Sequence, residues 1–263
     1  MVVSCYNSVM KRKVLIVANW KMNPPTLAEA RMLFSKTKQA GSRLENVETV
    51  ICPPFPYLGA FAHAGTARVR LGAQDVFWAN SARATGEVSP EQLVDLGVSY
   101  CIVGHSERRA LGETDEGVSK KVKAVLAEGM RPILCVGERA RDENAGYFEV
   151  LKNQLKHSLS GIQRRFLPEL AVAYEPLWAI GKSAREAAEP RVICETTIFI
   201  QRVLTDLFGA ENARELRILY GGSAEEGNTA AILSEGGVSG LLIGHASLDA
   251  EEFVKMMKIA NSV

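Results

Sequence analysis

Eight short runs rich in β-branched or aliphatic residues constrain this chain more than any other feature. They begin near Val14, Val47, Val69, Tyr100, Pro132, Leu170, Arg217 and Gly240, with starts between 22 and 47 residues apart. Each interval holds one helix and two loops, and that alternation signals parallel strands joined by helical crossovers. Most of the runs are apolar throughout, as strands covered on both faces must be. The gaps carry helix signals. Thr26-Leu27-Ala28-Glu29 reads as a capping box, Ser89-Pro90 as an N-cap with a first-turn proline, and Asp249 as the cap of Ala250-Glu251-Glu252. Val118, Val122, Val125 and Leu126 recur at helical spacing between Glu116 and Glu128.

No Pro/Ser/Gly tract divides the chain, so 263 residues with eight β/α units point to one α/β domain, a closed (β/α)8 barrel over residues 13–263. An open doubly wound sheet would carry a glycine-rich turn after its first strand, and that turn here reads Ala18-Asn19-Trp20-Lys21-Met22-Asn23. Residues 1–12 read as a loose extension. The cluster Lys11-Arg12-Lys13 follows the mildly apolar stretch, the reverse of a secretory signal.

Lys and Arg number 31 against 30 Asp and Glu, which gives nucleic acid and anionic membranes little to attract them. No apolar run approaches the roughly 18–20 residues of a membrane span. The five cysteines, Cys5, Cys52, Cys101, Cys135 and Cys194, are scattered and form no C-x-x-C pair, which argues against a disulfide framework and a zinc site. A reducing cytoplasm is the expected compartment.

Active sites of such barrels lie at the C-terminal strand ends. Asn19 and Lys21 follow the first run, Gly104-His105-Ser106-Glu107-Arg108-Arg109 the fourth, and Glu175-Pro176-Leu177-Trp178-Ala179-Ile180-Gly181 the sixth. Gly221-Gly222-Ser223 and Gly244-His245-Ala246-Ser247 close the last two. A carboxylate at a strand end, fixed by the following proline and flanked by large apolar groups, suits a general base at Glu175. His105 sits after a strand and before a short helical stretch, where an imidazole can donate a hydrogen bond to a developing oxyanion. Lys21 offers a positive charge and Asn19 a donor for the same oxygens. Taken singly, Glu175 reads more readily as a surface glutamate, Lys21 as a solvated lysine and Asn19 as a turn residue.

The motifs A-N-W-K-M-N, G-H-S-E-R-R, P-I-L-C-V-G-E, Y-E-P-x-W-A-I-G and Y-G-G-S, in this order and spacing, resemble triosephosphate isomerases across about Lys13 to Ala260. The resemblance implies a TIM barrel and interconversion of dihydroxyacetone phosphate and glyceraldehyde 3-phosphate through an enediolate, in glycolysis and gluconeogenesis. No cofactor or metal is implied. Glu175 would be the base, His105 the electrophile, Asn19 and Lys21 catalytic and substrate-binding residues, and Glu107 a supporting group. A neutral imidazole at a helix N-terminus is a role already described for triosephosphate isomerase itself, so it comes with the resemblance. The substrate phosphate would rest on backbone amides at Gly181, Ser223, Gly244 and His245. Alternatives are an isomerase of a tetrulose phosphate and an aldolase forming a Schiff base on Lys21.

Three departures from the family pattern matter. His245 stands where a second glycine is usual, which requires a negative φ there. The loop Gln74–Glu87 keeps the family's length and its Thr85-Gly86-Glu87 ending, so a homodimer is implied, but its tip Ala82-Arg83-Ala84 lacks an aromatic residue. After Gly181 the chain continues Lys182-Ser183-Ala184 in place of the usual T-G-K-T-A, which reads as a lid two residues short.

Overall fold

A computed structural model describes residues 12–141, 145–181 and 187–263. Eight parallel strands form a closed barrel in sequence order: β1 Val14–Asn19, β2 Val47–Cys52, β3 Val69–Ala73, β4 Val98–Val103, β5 Arg131–Val136, β6 Ala171–Tyr174, β7 Arg217–Tyr220 and β8 Gly240–Ile243. Closure is carried by β1, which pairs with β2 from Val14 to Asn19 and with β8 from Leu15 to Ala18. All eight expected strands are present, with starts displaced by two residues at β4 and by one at β5 and β6.

The continuous apolar runs follow from the two layers that the sheet serves. Leu15 and Val17 of β1 point into the barrel with Val50, Ile102, Ile133 and Leu219. Ile16 and Ala18 point outward to the helices. Alternate residues therefore meet two different apolar surroundings, and neither face can be polar. The last helix, Ala250–Ser262, buries Phe253, Met256, Met257 and Ala260 at helical spacing against the outer layer. Phe253, Met256 and Met257 each contribute about 1.5–3 kcal/mol on burial.

Ser89 forms a complete capping box with Gln92, whereas Thr26 supplies one half of the box expected there, accepting from the amide of Glu29 at 3.3 Å. Asp249 accepts from the amides of both Glu251 and Glu252. Residues 1–11 of the expected extension lie outside the described residues. Arg12 is anchored to the barrel, its guanidinium donating to Glu215. Among the described residues no helix is long and apolar enough to cross a membrane.

Candidate active site

The turn after β1 is held in an uncommon conformation. Lys21 has φ 53°, the left-handed region that costs a side-chain-bearing residue about 1–2 kcal/mol. Three hydrogen bonds hold it there. The Lys21 amide donates to Asn19 Oδ1 at 3.1 Å, and Gln74 Nε2 donates to the carbonyls of Lys21 and Cys52, each at 2.9 Å. Asn19 is buried, and with its oxygen engaged its NH2 is the end left to donate to a ligand. Lys21 Nζ lies 2.5 Å from Glu107 Oε1.

At the end of β4, Gly104 takes φ 69°. A side chain there would press Val118 and Arg109 at 3.0 Å. The chain then turns at His105, which caps the short helix Ser106–Ala110. His105 Nδ1 accepts from the amide of Glu107 at 3.3 Å, so the ring proton sits on Nε2, the nitrogen facing Glu175 Oε1 at 3.0 Å. Burial lowers the His105 pKa, but the Glu175 charge and hydrogen bond, with Glu107 in support, outweigh it and the net direction is upward. That rise belongs to the contact with Glu175. When Glu175 turns to a substrate carbon, the main cause of the rise leaves with it.

Glu175 is 2% exposed, and its second oxygen accepts from the Ser106 amide at 2.9 Å. Its place is cut out by glycines. A Cβ on Gly137 would lie 1.8 Å from the Glu175 carbonyl oxygen, and one on Gly221 would lie 3.0 Å from Glu175 Cγ. Beyond Pro176 a single turn, Leu177–Ala179, carries Trp178, whose indole donates to Glu138 Oε1 at 2.8 Å. Tyr174 Oη donates to the same oxygen at 2.8 Å. Burial, then the Glu138 charge, pushes the Tyr174 hydroxyl well above its usual range, so it stays a donor. Glu138 ends the P-I-L-C-V-G-E run after β5 and is 1% exposed. It was not singled out from sequence, although the strand-end rule that finds Glu175 reaches it equally.

Asn19, Lys21, His105 and Glu175 line a cavity of about 670 Å³ together with Gly181, Ser223, Gly244 and His245. Glu107 stands outside this lining and acts on it through Lys21 and through His105, 3.7 Å away. Ser223 Oγ donates to the Ala179 carbonyl at 2.9 Å, which ties the end of β7 to the turn after Glu175. His245 has no positive φ, as its replacement of a glycine requires. Among the described residues no group of three His, Cys, Asp or Glu is placed to hold a metal ion.

A buried carboxylate facing an Nε2–H, with a lysine and an asparagine beside them, can move a proton between adjacent carbons while stabilising the oxygen charge that this creates. The family model described as triosephosphate isomerase matches residues 14–260. The chain belongs to the triosephosphate isomerase family. It is 42% identical to the triosephosphate isomerase of Dehalococcoides mccartyi strain BAV1, with 95% of this chain and 97% of that protein covered. For the triosephosphate isomerase of Citrifermentans bemidjiense the identity is 42%, with 94% and 98% covered, and for that of Alkaliphilus oremlandii 40%, with 92% and 98%. The family's lid follows Gly181, and the expected shortening at Lys182-Ser183-Ala184 lies outside the described residues.

Proposed function

We infer that this chain interconverts dihydroxyacetone phosphate and D-glyceraldehyde 3-phosphate, the triosephosphate isomerase reaction of glycolysis and gluconeogenesis. The observation that carries the reading is the 3.0 Å approach of the Glu175 carboxylate to His105 Nε2 within the cavity. Glu175 takes a proton from the carbon beside the carbonyl, and the electron pair left behind moves onto the carbonyl oxygen to give an enediolate. The same carboxylate returns the proton to the neighbouring carbon while the hydroxyl proton passes from the first oxygen to the second, so the two carbons exchange carbonyl and alcohol and no external acid is consumed. His105 Nε2–H and the Asn19 amide donate to the oxygens where charge collects, and Lys21 supplies the compensating charge. Glu107 holds Lys21 in place. The phosphate is bound by the backbone amides at Gly181, Ser223, Gly244 and His245, where peptide N–H groups offer an anion a fixed cradle.

A coupled assay with glyceraldehyde 3-phosphate tests this, and turnover should exceed that on a four-carbon tetrulose phosphate. A folded sample that isomerises neither substrate would overturn the reading. Gly221 gives a finer test. A methyl group there would push Glu175 by a few tenths of an ångström, and since misplacing a catalytic group by 1 Å costs roughly 10²-fold, Gly221→Ala should lower kcat on the order of tenfold with KM little changed. Unaltered kcat would mean that the position of Glu175 is not what this glycine protects.

We also propose a homodimer in a cytoplasmic setting. The loop Gln74–Glu87 is fixed at its base by Gln74 and by Asp75, which pairs with Arg108 at 2.9 Å and with buried Lys121 at 2.6 Å. Around that base stand exposed apolar side chains: Met22 is 92% exposed and Leu111 82%. Side chains of that kind gain from a partner's surface. Sedimentation at micromolar concentration should give twice the 28.6 kDa chain mass. A fully active monomer would sink the dimer.

A further inference from the structure

We propose that the N-terminal mouth of the barrel, the pole opposite the catalytic cavity, is a second binding site, taking a small multivalent oxyanion of the phosphate class. A cavity of about 250 Å³ opens there. Its lining includes Leu15 at the start of β1, Tyr100 of β4, three guanidinium groups, Arg12, Arg131 and Arg217, and one carboxylate, Glu169. These arginines come from the chain before β1 and from the first residues of β5 and β7, so they converge on the barrel axis from three sides.

Part of their charge is spoken for. Glu48, 7% exposed, receives Tyr100 Oη at 2.9 Å and Arg217 NH1 at 3.1 Å. Arg131 donates to Tyr100 Oη at 3.1 Å and to Glu169 at 2.5 Å, and Arg12 donates twice to Glu215. The pairing is incomplete. Each guanidinium has five N–H groups, and hydrogen bonds to the described residues use two of Arg12, two of Arg131 and one of Arg217. Arg70 adds a fourth guanidinium beside Glu48, and its Nε is buried with no hydrogen-bond partner. Four cations thus meet three carboxylates, and Arg12, Arg131 and Arg217, with donors unused, border a cavity large enough for a phosphate. Planar N–H forks match oxyanions in pairs, and such charge-assisted bonds are the strong ones. An anion seated there would join β1, β5 and β7 and offset the surplus charge.

Calorimetric titration of the whole protein with inorganic phosphate decides the matter. Two phosphates per chain are expected, one of them identified with the catalytic cavity by its competitive inhibition of isomerisation. Arg12→Gln should weaken the other at least tenfold and leave both the inhibition constant and the turnover unchanged, because among the described residues Arg12 hydrogen-bonds to Glu215 alone and is absent from the catalytic cavity's lining. Glu169→Gln, which removes a negative charge from the cavity's lining beside Arg131, should tighten it several-fold. Retained turnover shows that each variant is folded. A single phosphate per chain in the unaltered protein, or a second one indifferent to Arg12→Gln, would overturn the proposal.

Discussion

Replacing Glu175 by glutamine should lower kcat by roughly 10²–10⁴-fold, the range typical of losing a general base, while KM for dihydroxyacetone phosphate changes little. The glutamine fills the same space, so the glycine-bounded slot at Gly137 and Gly221 still accepts it. What it lacks is a basic oxygen. It also meets two donors at once, His105 Nε2 and the Ser106 amide, and its single oxygen can satisfy only one of them. A second readout follows from the electrostatics. The carboxylate is what outweighs burial and raises the His105 pKa, so in Glu175→Gln the imidazole should titrate at lower pH, measured by the ring-proton shifts of His105 against pH. The sign fixes a stability effect too. A histidine whose folded pKa lies above its unfolded value of about 6.5 adds stability that is fully present below that value and fades as pH rises through the folded pKa. Relative to the unaltered protein, the variant should therefore lose more stability at pH 5 than at pH 8. Near-normal kcat would remove Glu175 from the reaction, and an unmoved His105 titration would show that the Glu175 charge does not govern it.

The sequence makes the barrel readable because both layers of every strand are apolar, so the runs stand out without any alternation to decode. The strand-end rule then places Asn19, His105 and Glu175 on one pole before any distance is known. What it cannot provide is contact across the barrel. His105 and Glu175 are 70 residues apart, and their 3.0 Å approach exists only once β4, β5 and β6 have paired in register. The same limit hides the role of Glu138, which depends on Tyr174 of the neighbouring strand and on Trp178 of the turn beyond it. The left-handed Lys21 was hidden for another reason. Residue type predicts positive φ only for glycine and a few polar residues, whereas here Gln74 and Asn19 impose it through hydrogen bonds. Nothing local in the sequence shows that Arg12, before β1, and Arg131 and Arg217, at the starts of β5 and β7, border one cavity at the other pole.

Substituting alanine for His105 should also lower kcat by about 10²–10³-fold, as loss of a single oxyanion donor does, with KM for dihydroxyacetone phosphate changed far less. The asymmetry comes from when the hydrogen bond matters. A ground-state carbonyl oxygen carries little charge and gains little from Nε2–H, but the enediolate oxygen gains much more, so the interaction strengthens along the reaction and appears in kcat. His105 is prepared for that role by the backbone. The Glu107 amide occupies Nδ1, which leaves a neutral ring only one proton, aimed at the site. A protonated ring would give up the Glu107 bond, and a stronger acid there would hand its proton to the enediolate oxygen and stall the return transfer. His105→Gln separates the two contributions, since its amide can still donate a hydrogen bond but cannot shuttle a proton between the two oxygens. If donation alone matters, glutamine should recover most of the rate lost with alanine. If His105 must also carry the hydroxyl proton between the oxygens, glutamine should remain close to alanine. A change confined to KM in both variants would reduce His105 to a residue that positions substrate and takes no part in stabilising the enediolate.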